Sequence, residues 1–479
     1  MTYNKHRKII GNLKPDNTIS DENCSVSYEM LDNLLSLIDI KAQSSIEINN
    51  GLCVALILEN NVPSLLSFLY LLSENLSIYI LRKSDDEQVS IPKFCKYLIY
   101  NSSGDVCNGA EYHPMQITRN FEFNPNFRAH SFQHPSILMS TSGSSGNSKI
   151  VCYSKFNFLK NAENCVEYFK IGTNSKVLIS VPVSHMYGLG VGLIPAIIRG
   201  ANIHLISNTN VVKLLSSINL FRPEIVLVNP ILCEMIMKVK KEGRYRNMIF
   251  ITAGQIISSK TYNDFEDKIG DLFNIYGSSE LGAIATSPRS YYREDQKKQG
   301  ELIPFPNVEI KIDIDNNNMI LCKHRFSFYG YLSDENRIID KSERCNLDGW
   351  YLTNDSGIAL SNEQFIVKGR VDNFINRSGY LVSLEEINEF VVQCFAIISE
   401  AVAFEHHISS TNIPVVAVVG EVVDLNDETL SIAQTLFKDL PRSKLKPDQL
   451  LLTKKIPRLA SGKPDIQNTK KNILSFVKV

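Results

Sequence analysis

Between Lys176 and Tyr276 short apolar runs alternate with longer helix-like segments, and this alternation restricts the fold more than any other feature of the chain. Lys176–Val183, Ala201–Ile206, Glu224–Val228, Ile249–Ala253 and Phe273–Tyr276 read as strands. An apolar segment ending at Arg199 and the segment Val212–Leu220 read as helices. Strands separated by helices are joined by crossovers, so they pair in parallel and are covered on both faces. Upstream, Val54–Leu58, the turn Glu59-Asn60-Asn61, Pro63 and a helix from about Ser64 form one more unit of this kind. Near residue 300 the pattern changes. Val308, Ile310 and Ile312 alternate with polar residues, and Asn316-Asn317-Asn318 marks a turn, which predicts a hairpin of an antiparallel barrel or sheet. A polar hinge begins near Gly369. Beyond it Ser383–Val392 reads as a helix, Val415–Val419 as a strand and Leu430–Leu440 as a helix, a small α+β domain. The expectation is an α/β fold. A large N-terminal domain, 1–370, combines parallel sheets under helices with a small antiparallel barrel, and 371–479 form a small α+β C-terminal domain.

Within this frame Ser140–Val151, STSGSSGNSKIV, follows the strand-like Pro135–Met139 and precedes a helix expected over Lys155–Phe169. Glycines let backbone N–H groups turn inward around an anion, hydroxyls add donors, and Lys149 adds a charge. Phosphate binding is one reading, and a flexible Ser/Gly turn is the other. A Walker A loop is excluded, because Ser148 and Ile150 flank Lys149 where that motif needs Gly and Ser or Thr.

Composition narrows the partners. A net charge of −1 over 479 residues provides no electrostatic bias toward nucleic acid or anionic membrane. The longest apolar runs, such as Leu65–Leu72, are too short to span a bilayer, and the N-terminus has no apolar signal core. The ten cysteines form no C-x-x-C pair and show no zinc spacing, so reduced thiols in a cytoplasmic protein are expected.

Five further stretches carry polar groups where an open sheet binds ligands, or on polar loops. Pro182-Val183-Ser184-His185-Met186-Tyr187-Gly188-Leu189 follows a strand end. Asn274-Ile275-Tyr276-Gly277-Ser278-Ser279-Glu280 puts a hydroxyl beside a carboxylate, a pair that can meet a phosphate and a Mg²⁺ ion together. Asp348-Gly349-Trp350-Tyr351-Leu352-Thr353-Asn354-Asp355 ends in a carboxylate able to accept from two ribose hydroxyls. Gly369-Arg370-Val371-Asp372 continues to Gly379-Tyr380 and Glu386-Ile387, and Ile456-Pro457-Arg458 leads to Gly462-Lys463. Taken singly, each is equally readable as a turn, a linker or a solvated charge.

Together, and in this order, these stretches resemble the motifs of the adenylate-forming (AMP-binding) enzyme superfamily, nearest to acyl-CoA synthetases and acyl- or aryl-acid ligases. The Ser/Gly loop is similar to S/T-S-G-S/T-T-G-x-P-K-G, with Ser148 for proline and Ile150 for glycine. The resemblance implies that Thr141, Ser142, Gly143, Ser144, Ser145, Gly146 and Lys149 bind the phosphates of ATP. It places Gly254, Gln255, Asn274 and Tyr276 around adenine, Ser279 on the α-phosphate and Glu280 on Mg²⁺, and counts Gly277 among the nucleotide-binding residues. Asp355 and Arg370 are assigned to the ribose. His185 is cast beside the substrate carboxylate. Lys463 is cast as the catalytic lysine that bridges carboxylate and α-phosphate, Asp372 as the pivot of a mobile C-terminal domain, and Gly379 as lining the thiol tunnel.

The family resemblance implies ATP- and Mg²⁺-dependent conversion of a small carboxylic acid to acyl-AMP and pyrophosphate, then transfer to the thiol of coenzyme A. The alternative acceptor is the phosphopantetheine of an acyl carrier protein. No aspartate that would pair with an amino-acid substrate accompanies His185. Met186, Tyr187, Val228, Gly254 and Ala283 are expected to wall an apolar acid slot. The rival is a degenerate nucleotide-binding homologue without turnover. Leu381 for arginine, Asn354 for glycine and Lys155 where the family often has histidine are the departures that raise it, while Leu381 and Asn376, the latter for lysine, bear on the thioester-forming conformation.

Overall fold

The computed structural model describes residues 14–45, 52–82, 91–100, 121–123, 132, 134–141, 149–240, 243–254, 257, 259–288, 300–332, 338–346, 348–361, 363–377, 380–407, 414–440, 443–459 and 464–479. These fall into two compact units. One holds the described residues up to Glu309 together with those of Cys322–Tyr351, and the other holds those of Ile310–Leu321 and Leu352–Val479.

The first unit contains the expected α/β architecture, as two sheets. Asp271–Ser278, Ile249–Ala253, Ile225–Val228, Lys176–Ile179, Asn202–Leu205 and Thr18–Ser20 run in parallel, in that spatial order, within a nine-stranded sheet. In an eight-stranded sheet Ser136–Ser140, Ser77–Leu81, Cys53–Ile57 and Cys95–Ile99 are parallel. Central strands such as Cys53–Ile57 and Ile225–Val228 are buried at every position, as parallel strands covered on both faces must be. Helix starts follow their capping residues. Asn61, Ser154, Asn210 and Asn229 each accept a backbone N–H in the first turn of Val62–Ser73, Lys155–Phe169, Val211–Phe221 and Pro230–Val239.

One segment departs from the expected pattern. The apolar stretch ending at Arg199 opens as a π-helix, Tyr187–Leu193, and only then becomes the α-helix Ile194–Ile198. Wide helical turns of this kind recur at functional sites. Gly188 is needed here for space, since a Cβ would sit 2.3 Å from the Pro182 carbonyl oxygen.

A four-stranded sheet follows in the order Val308–Asp313, Met319–His324, Tyr351–Ala359, Phe365–Arg370. Among the described residues it does not close into the expected barrel. Four strands are too few to enclose packed side chains, for which about eight are needed. After the hairpin Phe374–Arg377/Tyr380–Ser383 comes a second four-stranded sheet, Ile398–His407, Pro414–Val422, Gln449–Thr453 and Val477–Lys478. Its core gathers Ile387, Val391, Phe395, Val418 and Leu450 under the helices Leu384–Cys394 and Asp427–Asp439.

Candidate active site

The first unit places seven of the sequence-predicted residues, His185, Gly254, Asn274, Tyr276, Gly277, Ser279 and Glu280, at one end of the nine-stranded sheet. Gly254 follows Ile249–Ala253, Asn274 and Tyr276 lie in Asp271–Ser278, and His185 follows Lys176–Ile179. These neighbouring strands are parallel, so their carboxyl ends share the edge at which open α/β sheets bind ligands.

The loop before His185 is held by a residue that carried no functional reading in the sequence. Asn60 Nδ2 donates to the carbonyl oxygens of Val181 (2.9 Å) and Ile206 (3.1 Å), and Asn60 Oδ1 accepts from the Val183 N–H (2.9 Å). One amide after a strand of the smaller sheet thus fixes the strand ends of the larger one. The Tyr187 hydroxyl reaches the carbonyls of Val228 (3.0 Å) and Ile251, and burial pushes its pKa well up. Val228 is fully buried in a core cluster with Leu178, Leu214 and Leu232, so it packs the sheet instead of walling an acid slot.

Asn274 Oδ1 is buried and has no hydrogen-bond partner among the described residues. A buried carbonyl oxygen left so costs about 1–3 kcal/mol, a cost that a donor such as the adenine amino group removes. Gly254 has a left-handed φ of 93°, is exposed, and has open space where a Cβ would point. It therefore leaves room for a ring to approach the end of its strand.

Glu280 sits in the turn joining Asp271–Ser278 to the antiparallel strand Gly282–Thr286. The turn is tight because a Cβ on Gly277 would lie 2.4 Å from the Gly282 carbonyl oxygen. Its backbone is pinned by the Tyr153 hydroxyl (2.6 Å) and the Phe328 N–H (3.0 Å), both donating to the Glu280 carbonyl. The carboxylate accepts from the Tyr331 hydroxyl (Oε1, 3.0 Å), which is 2.9 Å from the Tyr351 hydroxyl.

Lys149 comes to the same place from the other sheet. The Thr141 N–H donates to the Lys149 carbonyl (2.8 Å) and the Lys149 N–H to Thr141 Oγ1 (3.2 Å), so these two residues close the neck of the Ser/Gly loop. Burial and the Arg344 guanidinium lower the Lys149 pKa, and Glu280 raises it. Arg344, which no motif flagged, is near enough to bear on this lysine's charge. A cation near a carboxylate forms an arrangement suited to a metal-bound phosphate. Mg²⁺ needs only one or two carboxylates when substrate phosphates and waters complete its shell.

In the second unit Asp355 and Arg370 are register partners on adjacent antiparallel strands, with Oδ1 and Nη1 3.7 Å apart. Arg370 Nη1 also donates to the Thr353 carbonyl (3.4 Å). Asn354, the departure from glycine, has φ +60°, a left-handed conformation that asparagine tolerates better than most residues. The backbone served by glycine is therefore kept. Lys155 is structural: it donates from Nζ to the carbonyls of Leu71 (2.7 Å), Leu72 (3.2 Å) and Glu74 (2.7 Å) at the C-terminal end of Val62–Ser73. Asn376 and Leu381 face each other as a register pair in their hairpin. Ser142, Gly143, Ser144, Ser145, Gly146, Gln255, Gly379 and Lys463 lie outside the described residues, and so does the side chain of Asp372. Pro464 pairs with Arg458, and the Asp465 N–H donates to the Pro457 carbonyl (2.7 Å).

A cavity of about 520 Å³ in the first unit has Lys323, Arg325 and Lys341 among its lining residues. No sequence-predicted site residue lines it, and it touches the Glu280 cluster only through Tyr351.

A parallel α/β sheet with a carboxylate turn and an unpartnered amide oxygen at its carboxyl edge, and a lysine reaching that turn from the other sheet, fits a nucleotide-binding enzyme. The family model for AMP-binding enzyme matches residues 84–323, and the chain belongs to that family. It is 26% identical over 329 residues to 2-succinylbenzoate–CoA ligase of Listeria monocytogenes, covering 68% of each chain. It is 23% identical over 337 residues to 3,4-dihydroxybenzoate–[aryl-carrier protein] ligase of Bacillus anthracis, covering 69% of this chain and 72% of that one. Among solved structures, ATP-bound MatB from Rhodopseudomonas palustris shares the fold with a TM-score of 0.78 at 16% identity, over 99% of this chain and 98% of that one. O-succinylbenzoate coenzyme A synthetase from Bacillus subtilis, in complex with ATP and magnesium ion, gives 0.75 at 18% identity, over 96% and 97%. Among the described residues no helix is long and apolar enough to cross a membrane.

Proposed function

We propose that the protein activates an aromatic carboxylic acid with ATP and transfers it to coenzyme A, as an AMP-forming acid–thiol ligase. The observation that carries this reading is that Tyr331 brings Lys149 and Glu280 together, the ammonium on its ring and the carboxylate on its hydroxyl, at the turn between Asp271–Ser278 and Gly282–Thr286. A carboxylate there suits a metal ion, and the cation suits a phosphate. Both CoA ligases and an aryl-carrier-protein ligase are among the relatives, and they act on aryl acids by name, which favours an aromatic acid.

In the first half-reaction a carboxylate oxygen attacks the α-phosphorus of ATP and pyrophosphate leaves, giving acyl-AMP. Mg²⁺, when bound, neutralises phosphate charge so that an anionic nucleophile can approach. Lys149 and Arg344 hold the departing phosphates, and Glu280 offers the metal its carboxylate. Asn274 accepts from the adenine amino group, against which Tyr276 stacks. Gly254 gives the ring space, and Gly277 lets the turn close tightly beside it. Asp355 and Arg370 take the ribose hydroxyls, Ser279 the α-phosphate, and His185 orients the acid. Lys463 bridges the carboxylate and the α-phosphate and stabilises charge in the transition state. In the second half-reaction the thiol sulfur attacks the acyl carbonyl and AMP leaves. We assign the change between the two steps to rotation of 371–479 about Asp372, which lies in the short turn Val371–Asn373 after Gly369. No catalytic role is given to any of the described cysteines.

The test is acid-dependent pyrophosphate release from ATP across a panel of aryl and acyl acids, repeated with coenzyme A and with a phosphopantetheinylated carrier protein. Thioester formation with coenzyme A and an aryl acid is the expected result. Transfer to the carrier protein alone assigns the other acceptor, and no pyrophosphate release with any acid refutes the reading.

A further inference from the structure

We propose that Tyr331 is the positioning residue for both ends of the metal–phosphate clamp, holding Glu280 with its hydroxyl and Lys149 with its ring. This rests on the reading of Glu280 and Lys149 given above. Tyr331 is 6% exposed and lies in the strand Gly330–Leu332, directly opposite Val151. Lys149 is two residues before Val151, so the Tyr331 and Lys149 side chains are diagonal neighbours on one face, within reach of a long and an aromatic side chain. The Lys149 ammonium accordingly stands 5.2 Å from the Tyr331 ring centroid, a cation–π distance. Phe328 packs edge-on against the same ring at 4.9 Å and fixes its plane.

The hydroxyl chain has one direction. An ionised carboxylate only accepts, so the single Tyr331 proton goes to Glu280 Oε1 and the Tyr351 hydroxyl donates to Tyr331. With Oε1 engaged, Oε2 is the oxygen left to a metal ion. Lys149 and Glu280 are close enough to affect each other's charge, yet they make no ion pair within 4 Å. If they paired, the carboxylate would be a weaker metal ligand and the ammonium would be lost to the phosphates. The tyrosine prevents that by giving each group a different partner on one rigid side chain.

Two variants separate the two roles. Tyr331→Phe keeps the ring and removes the hydroxyl, whereas Tyr331→Leu removes both. Mn²⁺ binding is followed by electron paramagnetic resonance with a non-hydrolysable ATP analogue, and analogue binding is measured separately without metal. Tyr331→Phe is expected to weaken Mn²⁺ binding roughly 10–100-fold, the usual effect of losing a hydrogen-bond partner of a metal ligand. It should leave metal-free analogue affinity unchanged. Tyr331→Leu is expected to weaken both. Tyr351→Phe, which keeps the Tyr331–Glu280 bond, is expected to show a smaller Mn²⁺ effect and serves as the second variant should Tyr331→Phe unfold. Wild-type Mn²⁺ affinity in Tyr331→Phe, or equal loss of metal and metal-free nucleotide binding in both Tyr331 variants, overturns the proposal. If the wild-type protein itself shows no metal-dependent analogue binding, the functional reading falls and not merely the role of Tyr331.

Discussion

Gly282→Ala tests how the Glu280 turn is held. Gly282 has φ +71°, and a Cβ there would lie 2.2 Å from Asn161 Oδ1. Two costs follow. Alanine in the left-handed region costs about 1–2 kcal/mol. The larger cost comes from Asn161, which is 3% exposed. Its Nδ2 donates to the carbonyls of Leu281 (2.7 Å) and Phe326 (3.2 Å) and stands 3.1 Å from His324 Nε2. A methyl group at residue 282 displaces this amide, and unmaking its buried bonds costs about 2–3 kcal/mol. The expected destabilisation is therefore about 3–5 kcal/mol, read from urea unfolding by circular dichroism. The cycle with Asn161→Ala isolates the second cost. With the amide already gone, Gly282→Ala should cost only about 1–2 kcal/mol, leaving a coupling of about 2 kcal/mol. A single variant within about 1 kcal/mol of wild type, or an equal cost in both backgrounds, refutes the reasoning.

His324 supplies a pH dependence: burial and the nearby Lys341 lower its pKa from 6.5 to about 4, and its Nδ1 accepts the Phe326 N–H, which an imidazolium cannot do. Below pH 6.5 the unfolded chain binds the proton first, so stability should fall as pH drops from 6.5 to 4, by about 3 kcal/mol in all. Melting curves across that range should be flatter for His324→Gln, and parallel curves would disprove the assignment. Asn354→Gly should melt close to wild type while Asn354→Val loses about 1–2 kcal/mol, because only the β-branched residue resists φ +60°. Lys463→Ala should abolish acyl-AMP formation yet spare thioester formation from supplied acyl-AMP, and equal loss of both rates argues against its role in the first step. Asp372→Pro, with its melting temperature checked alongside, should retain pyrophosphate release but lose thiol transfer, since proline fixes φ near −65°. Thioester formation at the wild-type rate would move the hinge elsewhere.

The sequence alone determined what depends on local periodicity and local chemistry. The helix Lys155–Phe169 and the strand Ile249–Ala253 occur with the bounds their patterns predict, because an amphipathic run after a serine cap and a short apolar run each have one favourable local state. The ordered motifs also identified the family before any contact was known. Tertiary structure decided what depends on residues far apart in the chain. Asn60 is 121 residues from Val181, and Tyr331 is 51 from Glu280, yet each hydrogen-bonds across that separation. No spacing rule encodes such pairs, because sheet order and register create them. Lys155 and Asn354 illustrate the same point from the opposite side. Both read as departures that weakened the family pattern, and folding shows one as a helix-end cap and the other as a tolerated left-handed residue. The expected barrel likewise became an open sheet, since alternation specifies which face a residue takes, whereas closure depends on strand number and tilt, which only the assembled sheet fixes.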